Sequence, residues 1–132
     1  MAEDQIKQKV LVVEDDLPVL NALVDKLTRE GLDVVQAKDG EDGLVIANNE
    51  HPDIILLDII MAKMDGLAMM KKLRAENEWG KNVPVIILTN LSPDAEEIKK
   101  SIAEGEPALY LIKTDWSMGD VVEKIREVLK KR

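Results

Sequence analysis

The sequence contains no cysteine and a single histidine among its 132 residues. Disulfide frameworks and the usual zinc sites need several sulfur or nitrogen ligands at short spacing, so both are excluded. Any bound metal ion must therefore be held by oxygen ligands. The chain is long enough to bury a hydrophobic core without such crosslinks, and its length predicts one domain over residues 1–132.

The chain has no excess of positive charge, since 26 acidic residues outnumber 18 Lys and Arg residues, and it has no long apolar segment. The formal net charge is −8, which argues against a nucleic-acid surface because phosphate binding needs clustered Lys and Arg side chains. No run approaches the roughly 20 apolar residues of a membrane span, and residues 1–9 lack the apolar centre of a signal peptide. We therefore expect a soluble, cytoplasmic protein without direct nucleic-acid or membrane contacts.

Short apolar runs rich in Val, Ile and Leu are what the chain does contain. Continuous runs indicate strands buried on both faces of a sheet, and a shorter alternating run indicates one more strand. The five predicted strands cover residues 10–13, 33–37, 54–57, 85–88 and 109–112. Segments of helical periodicity separate them. The expected helix starts are Asp16, Asp39, Ser92 and Ser117, and the expected stops are Gly31 and Gly105.

This alternation of strands and helices predicts an α/β fold. Parallel strands need a crossover connection, and right-handed crossovers place helices on both faces of the sheet. For five β–α units, the flavodoxin-like, doubly wound sheet with strand order 2-1-3-4-5 is the natural choice. The predicted core of this domain covers residues 9–129.

Polar side chains follow four of the predicted strands. In this fold, ligands bind beyond the carboxyl ends of the strands, where the strand order reverses between the first and third strands. Glu14 and Asp15 follow the first strand, Asp58 the third, Thr89 the fourth and Lys113 the fifth. Because the first and third strands are neighbours, we expect their carboxylates to converge.

Crowded carboxylates repel one another unless a cation is present. Mg²⁺ is favoured over Ca²⁺, because Mg²⁺ commonly takes one or two carboxylates with phosphate and water, whereas Ca²⁺ prefers more protein oxygens. A cation beside an Asp, with Lys and Thr on the far side, suits phosphoryl transfer, in which a carboxylate acts as nucleophile and forms an acyl phosphate. Asp58 ends the central strand and is the candidate nucleophile.

Together, these residues resemble the receiver domain of bacterial response regulators, of the stand-alone, single-domain type. The resemblance covers residues 9–129. Each fragment alone is a weak signal, but their joint occurrence at the predicted strand ends makes the signal strong. The fragments are LVVEDD at 11–16, DIIMAKMDG at 58–66, Thr89, Tyr110 and Lys113.

The resemblance implies a role for each site residue. Asp58 would accept a phosphoryl group from a phosphohistidine on a sensor histidine kinase or a phosphotransfer protein. Glu14, Asp15, Asp58 and the backbone carbonyl of Ile60 would hold Mg²⁺. Lys113 would pair with Asp58 and then with the phosphoryl group.

The resemblance also implies a switch. Thr89 would bond to the phosphoryl group and shift toward it, and the ring of Tyr110 would move inward as Thr89 moves. The face formed by the fourth helix, the fifth strand and the fifth helix would then contact a downstream protein effector or form a phosphorylation-dependent homodimer. No enzymatic activity is expected beyond the domain's own phosphorylation and slow dephosphorylation.

Three positions depart from the family pattern. Thr114 follows Lys113 where the family usually has a proline after a cis peptide bond. A cis bond without proline costs about 2.5–4 kcal/mol, so we expect a trans bond and a different approach of Lys113. Ala62 replaces a proline in the loop after Asp58 and predicts a looser loop. Asn90 replaces a small residue after Thr89 and is expected to narrow access to the phosphoryl group.

Two apolar residues bear on the lifetime of the phosphorylated state. Ile60 and Leu91 stand two residues after Asp58 and Thr89. In the family, these positions help or hinder the water that hydrolyses the acyl phosphate. Apolar side chains at both positions predict slow self-dephosphorylation.

Two other interpretations stay open. The three departures are compatible with a receiver-like adaptor that acts by protein binding without phosphorylation. A flavodoxin-like flavin protein has the same predicted fold, although no Ser/Thr/Gly-rich phosphate loop follows the first strand.

Overall fold

The computed structural model describes residues 7–131, which form a parallel sheet in the order β2-β1-β3-β4-β5. The fold and strand order predicted from the sequence are confirmed. Residues 1–6 and 132 belong to the predicted domain but lie outside the described residues. The strands are β1 (Lys9–Val13), β2 (Asp33–Ala37), β3 (Ile54–Leu57), β4 (Val85–Thr89) and β5 (Leu109–Ile112).

Helices cover both faces of this sheet. One short helix, α4, has no counterpart in the prediction, so the predicted fourth and fifth helices correspond to α5 and α6. Within residues 7–131 the helices are α1 (Leu17–Arg29), α2 (Gly40–Glu50), α3 (Gly66–Glu76), α4 (Glu78–Asn82), α5 (Glu96–Gly105) and α6 (Met118–Lys130). A 3₁₀ turn, Lys113–Asp115, joins β5 to α6. None of these helices is long and apolar enough to cross a bilayer.

Alternate residues of the central strands face two separate cores. Val10 and Val12 pack in the core that α1 and α6 cover, whereas Leu11 and Val13 pack in the core beneath α2 and α3. Burial on both faces explains why these strands appear as continuous apolar runs. Each fully buried Leu or Ile side chain contributes about 1.5–3 kcal/mol to folding. The two cores therefore fix the positions of β1, β3 and β4, whose residues are almost all buried.

Side-chain caps start three helices where the sequence predicts them. Asp16 accepts a hydrogen bond from the Val19 N–H (3.3 Å) at the start of α1, and Asp39 caps α2 in the same way. Ser117 and Asp120 form a reciprocal capping box at α6. These bonds satisfy N–H groups that have no partner inside a helix.

The prediction for the start of α5 is wrong. Ser92 does not cap this helix, because its hydroxyl accepts the Asp94 N–H (3.3 Å) and makes a local turn. The helix begins at Glu96, four residues later. Its predicted stop, Gly105, is the last helical residue, and Glu106 takes the left-handed conformation (φ 46°). Gly31, with φ 91°, follows α1 as expected.

The helix α5 is attached mainly at its C-terminal end. Gly105 is its one buried residue, and a Cβ there would collide with Met70 of α3. Arg74 of α3 donates hydrogen bonds to the carbonyls of Gly105 (2.8 Å), Val83 (2.6 Å) and Gly80 (2.9 Å). The opposite end of α5 starts at Ala95 without a side-chain cap.

Candidate functional site

Acidic side chains converge where β1 and β3 end. Val13 pairs with Leu57 across these strands, which places Glu14 and Asp58 side by side at the same sheet edge. Carboxylate oxygens of Glu14, Asp15 and Asp58 lie within 4.8 Å of one another. Glu14 is 2% exposed and Asp58 7%, whereas Asp15 faces solvent. The strand order therefore brings together the three acids that the sequence singles out.

Lys113 reaches this cluster from the end of β5. Its Nζ lies 2.6 Å from Glu14 Oε1 and 2.8 Å from Asp58 Oδ2, so one ammonium bridges two buried carboxylates. Burial alone would lower the pKa of Lys113, but the bonds to Asp58 and Glu14 outweigh it and raise the pKa above its ordinary value. The peptide bond to Thr114 is trans, as expected, and Lys113 still contacts Asp58.

The carboxylates are otherwise bonded to backbone N–H groups. Asp58 Oδ1 accepts the Ile59 N–H (2.7 Å), and Glu14 Oε2 accepts the Asp16 N–H (3.1 Å). Burial raises the pKa of Glu14 above its ordinary value, although its hydrogen bonds with Lys113 and Asp16 act in the opposite direction. Hard oxygen donors at this spacing fit a small divalent cation, which would also favour the ionised form of Glu14.

Thr89, Leu91 and Tyr110 form a second hydrogen-bonded group beside the acids. Thr89 is 1% exposed, and its hydroxyl accepts the Leu91 N–H at 3.3 Å. The Tyr110 hydroxyl donates to the Leu91 carbonyl at 2.6 Å, so its ring is turned toward this loop. Burial raises the pKa of Tyr110, and the negative charge of Asp58 adds to the shift. Both predicted switch residues thus contact the same loop residue.

An open cavity of about 320 Å³ leads to Asp58. Ile60, 63% exposed, stands at this cavity with the half-buried Leu91. Both apolar side chains therefore line the open approach to Asp58. The remaining lining residues are Thr89, Asn90 and Lys113.

Two of the departures from the family pattern contact each other. Asn90 Oδ1 accepts the Thr114 N–H at 3.2 Å. A proline at position 114 would have no N–H to donate. Asn90 lines the cavity as expected, but its amide oxygen is directed to the turn that carries Lys113.

The loop between β3 and α3 is fixed at several points. The Ala62 N–H donates to Asp15 Oδ2 (3.3 Å), a bond that a proline could not make. The Gly40 N–H donates to the Met64 carbonyl at 3.0 Å. Lys63 adopts a left-handed conformation (φ 64°), which lets the chain turn between these contacts. The Ala62 N–H, which a proline at position 62 would lack, thus connects this loop to an acid of the cluster.

The doubly wound parallel sheet gathers acids, a lysine and a threonine at the point where its strand order reverses. Residues 10–126 match the model of the response regulator receiver domain, and the chain belongs to that family. The resemblance to a receiver domain stated from the sequence is confirmed. Membership favours the receiver interpretation over the flavin-binding alternative.

Individual relatives agree with this assignment. The chain is 34% identical over 125 residues to the "Probable transcriptional regulator ycf27" of Porphyridium aerugineum, covering 95% of this chain and 49% of that protein. A CheY-like receiver domain protein from Methanospirillum hungatei superposes with a TM-score of 0.85 at 25% identity, covering 96% of both chains. The chain spans about half the length, or less, of the curated relatives it matches.

A further solved structure carries ligands. A chain of the CheX-CheY-BeF3-Mg²⁺ complex of Borrelia burgdorferi superposes with a TM-score of 0.81 at 26% identity. The match covers 97% of this chain and 93% of that one. That structure contains CheX, CheY, BeF3 and Mg²⁺ together.

Sequence reasoning missed contacts made by backbone N–H groups. The bonds from Ile59 to Asp58, from Ala62 to Asp15 and from Thr114 to Asn90 all arise in loops. Residue identity gives no direct signal for where a loop N–H points. The one available hint is the lack of proline at 62 and 114, which leaves an N–H free to donate.

Proposed function

We propose that this chain is a phosphoacceptor switch. Asp58 takes a phosphoryl group from a phosphohistidine of a sensor histidine kinase or a phosphotransfer protein, and the altered surface acts on a protein effector. The observation that carries the proposal is the contact between Lys113 Nζ and Asp58 Oδ2 (2.8 Å) within the acidic cluster. Cationic groups beside a carboxylate balance the charge of a transferring phosphoryl group.

The transfer exchanges one bond to phosphorus for another. A carboxylate oxygen of Asp58 forms the new bond, the phosphorus–nitrogen bond of the donor breaks, and the imidazole nitrogen keeps the electron pair. Lys113 passes from the carboxylate to the phosphoryl oxygens. Mg²⁺, when bound, would supply further charge neutralisation; Glu14, Asp15, Asp58 and the Ile60 carbonyl would hold it.

The same chemistry supports a switch. A phosphoryl group on Asp58 offers strong hydrogen-bond acceptors, and the Thr89 hydroxyl, now bonded to the Leu91 N–H, can donate to them. Because the Tyr110 hydroxyl donates a hydrogen bond to the Leu91 carbonyl, a shift of this loop would move the Tyr110 ring with it. The responding face is α5, β5 and α6, and it would bind the effector or a second phosphorylated copy. Residues 9–129 form the unit that performs this task.

Intact-mass measurement after incubation with acetyl phosphate and Mg²⁺ tests the proposal. We expect one phosphoryl adduct on the wild type and none on Asp58→Asn. Asp25→Asn is the matched control, because Asp25 is an exposed carboxylate paired with Arg29 on α1, and it should be modified like the wild type. Beryllofluoride with Mg²⁺ should change the tryptophan fluorescence, because the backbone N–H of Trp116 donates to the Lys113 carbonyl (3.5 Å).

Two results would count against this function. An adduct that survives in Asp58→Asn would place the acceptor elsewhere. A wild type that takes no adduct, yet binds its partner as well as Asp58→Asn does, would favour the adaptor interpretation.

A further inference from the structure

Lys113 stands at the first position of the 3₁₀ turn Lys113–Asp115. The first N–H groups of a helical turn have no partner within it. The Thr114 N–H is satisfied from outside, by Asn90 Oδ1 at 3.2 Å. The backbone next to Lys113 is thus attached to the loop after β4.

Asn90 is itself held by its neighbours. Thr89 of β4 pairs with Ile112 of β5 in the sheet. Asn90 follows Thr89 and Lys113 follows Ile112, so the two residues lie side by side at the ends of adjacent strands. On the other side of Asn90, the Leu91 N–H donates to Thr89 and the Leu91 carbonyl accepts from Tyr110. Asn90 therefore offers its oxygen from a fixed part of the backbone.

This attachment matters because a lysine side chain is flexible. Its ammonium is a point charge on a four-carbon stem, yet here it must lie 2.6 Å from Glu14 and 2.8 Å from Asp58. A displacement of its Cα changes the distance that this stem must span and the torsions it must adopt to keep both contacts. Placement of a charged group relative to the reacting atoms governs the rate of transfer steps.

We infer that Asn90 is a positioning residue for Lys113: by accepting the Thr114 N–H, it holds the turn from which Lys113 reaches Asp58 and the incoming phosphoryl group. The inference rests on the proposed function, since it assigns Asn90 a part in that reaction. Asn90 acts through Thr114 and Lys113 and does not itself need to touch the phosphoryl group.

A purely steric role for Asn90 predicts the opposite outcome. Asn90 lines the cavity that leads to Asp58, so a side chain that only obstructs this cavity would slow phosphorylation, and its removal would speed the reaction. A positioning role predicts that removal slows it. The sign of the effect therefore separates the two roles.

The experiment measures phosphorylation by acetyl phosphate over a range of donor concentrations. Asn90→Ala removes both bulk and acceptor, and Asn90→Leu keeps the bulk without the acceptor. We expect both to lower the saturating rate about fivefold, the effect of losing one ordinary hydrogen bond, with little change in half-saturation. Asn90→Asp keeps the acceptor oxygen and should retain most of the saturating rate, while its charge raises half-saturation.

Two further measurements complete the test. Ser92→Ala, which removes another side-chain bond in the same loop, should leave the saturating rate unchanged. Amide hydrogen exchange of Thr114, followed by NMR in the unphosphorylated protein, should be faster in Asn90→Ala and Asn90→Leu than in the wild type and Asn90→Asp. The urea midpoint of Asn90→Ala and Asn90→Leu should fall by no more than the loss of one ordinary hydrogen bond allows, so that every variant stays folded in the phosphorylation assay.

The inference is overturned if Asn90→Ala is phosphorylated as fast as or faster than the wild type. It is also overturned if Asn90→Leu keeps the wild-type rate, or if Thr114 exchange does not change. A wild type that takes no phosphoryl group overturns the proposed function and this inference together. Phosphorylation of the wild type with unaltered variants overturns this inference alone.

Discussion

Replacement of Lys113 by methionine should leave two buried carboxylates facing each other without their ammonium. The side chains of Glu14 and Asp58 are 3% and 8% exposed, and Lys113 is 19% exposed. Removing one partner of a buried ion pair costs about 3–5 kcal/mol. Because the cavity above Asp58 is open and Glu14 can take up a proton, we expect a loss of about 2–3 kcal/mol near neutral pH without metal.

The pH dependence follows from the same groups. The Lys113 pKa is raised in the folded state, so its contribution is present below its ordinary pKa and is lost as the pH rises through the raised value. In Lys113→Met, the remaining repulsion needs both carboxylates ionised. The destabilisation relative to wild type should therefore shrink as the pH falls through the raised pKa of Glu14.

Urea unfolding followed by tryptophan fluorescence, with a chelator present, measures this effect. Lys26→Met is the matched control, since Lys26 pairs with Glu30 at 3.4 Å on a partly exposed helix surface, where such a pair contributes about 0.5 kcal/mol or less. Addition of Mg²⁺ should stabilise Lys113→Met, because a ligand that binds only the folded state raises its stability.

The reasoning fails if Lys113→Met is no less stable than Lys26→Met near neutral pH. It also fails if the loss grows as the pH falls. The double variant Lys113→Met with Asp58→Asn provides an internal check, because it removes one of the two unpaired charges. It should recover about 1 kcal/mol or more of the loss.

Three further predictions concern other parts of the chain. Arg74→Met should lower the free energy of unfolding in urea by about 2–3 kcal/mol, because several carbonyls lose their donor, whereas Arg29→Met on the surface should change it by about 0.5 kcal/mol or less. Tyr110 is the single tyrosine, and an absorbance titration should place its pKa above the ordinary value of 10.0. The free energy of unfolding should then fall above about pH 10, because the tyrosine of the unfolded state ionises first. A Tyr110 pKa at the ordinary value would contradict this. The phosphoryl group on Asp58 should persist well beyond seconds in a radiolabel decay assay, because the side chains of Ile60 and Leu91 offer no polar group to guide water. Loss of the label within seconds would disprove this.

The central strands could be predicted closely because burial on both faces leaves a continuous apolar signal, whereas the half-buried edge strand β2 was predicted from its alternating run. The predicted limits of β2, β3 and β5 agree with the structure, and β4 extends one residue further, to Thr89, because that residue still pairs with Ile112. The convergence of the acids followed from strand order alone. Sequence reasoning thus predicted which residues lie together in the candidate site, because their proximity depends on topology.

Features that depend on local turn geometry were not predicted. Ser92 before Pro93 has the composition of a helix start, but its hydroxyl satisfies a turn. The helix α4 is five residues long, which is too short to show helical periodicity, and Asn77 starts it by accepting the Gly80 N–H (2.7 Å). The link between Asn90 and Thr114 depends on the direction of one loop N–H, which residue types alone do not specify.

The contacts of Arg74 and Gly105 hold one end of α5, so a rotation of this helix would occur about its C-terminal end. A helix of this length extends about 15 Å, and the fixed point of the rotation lies at Gly105. A rotation of roughly 10° about that point would displace the Ala95 end by about 2.5 Å and leave Glu106 almost in place. Such a rotation would therefore change the binding surface of a partner that contacts the Ala95 end, but not that of a partner that contacts the Glu106 end.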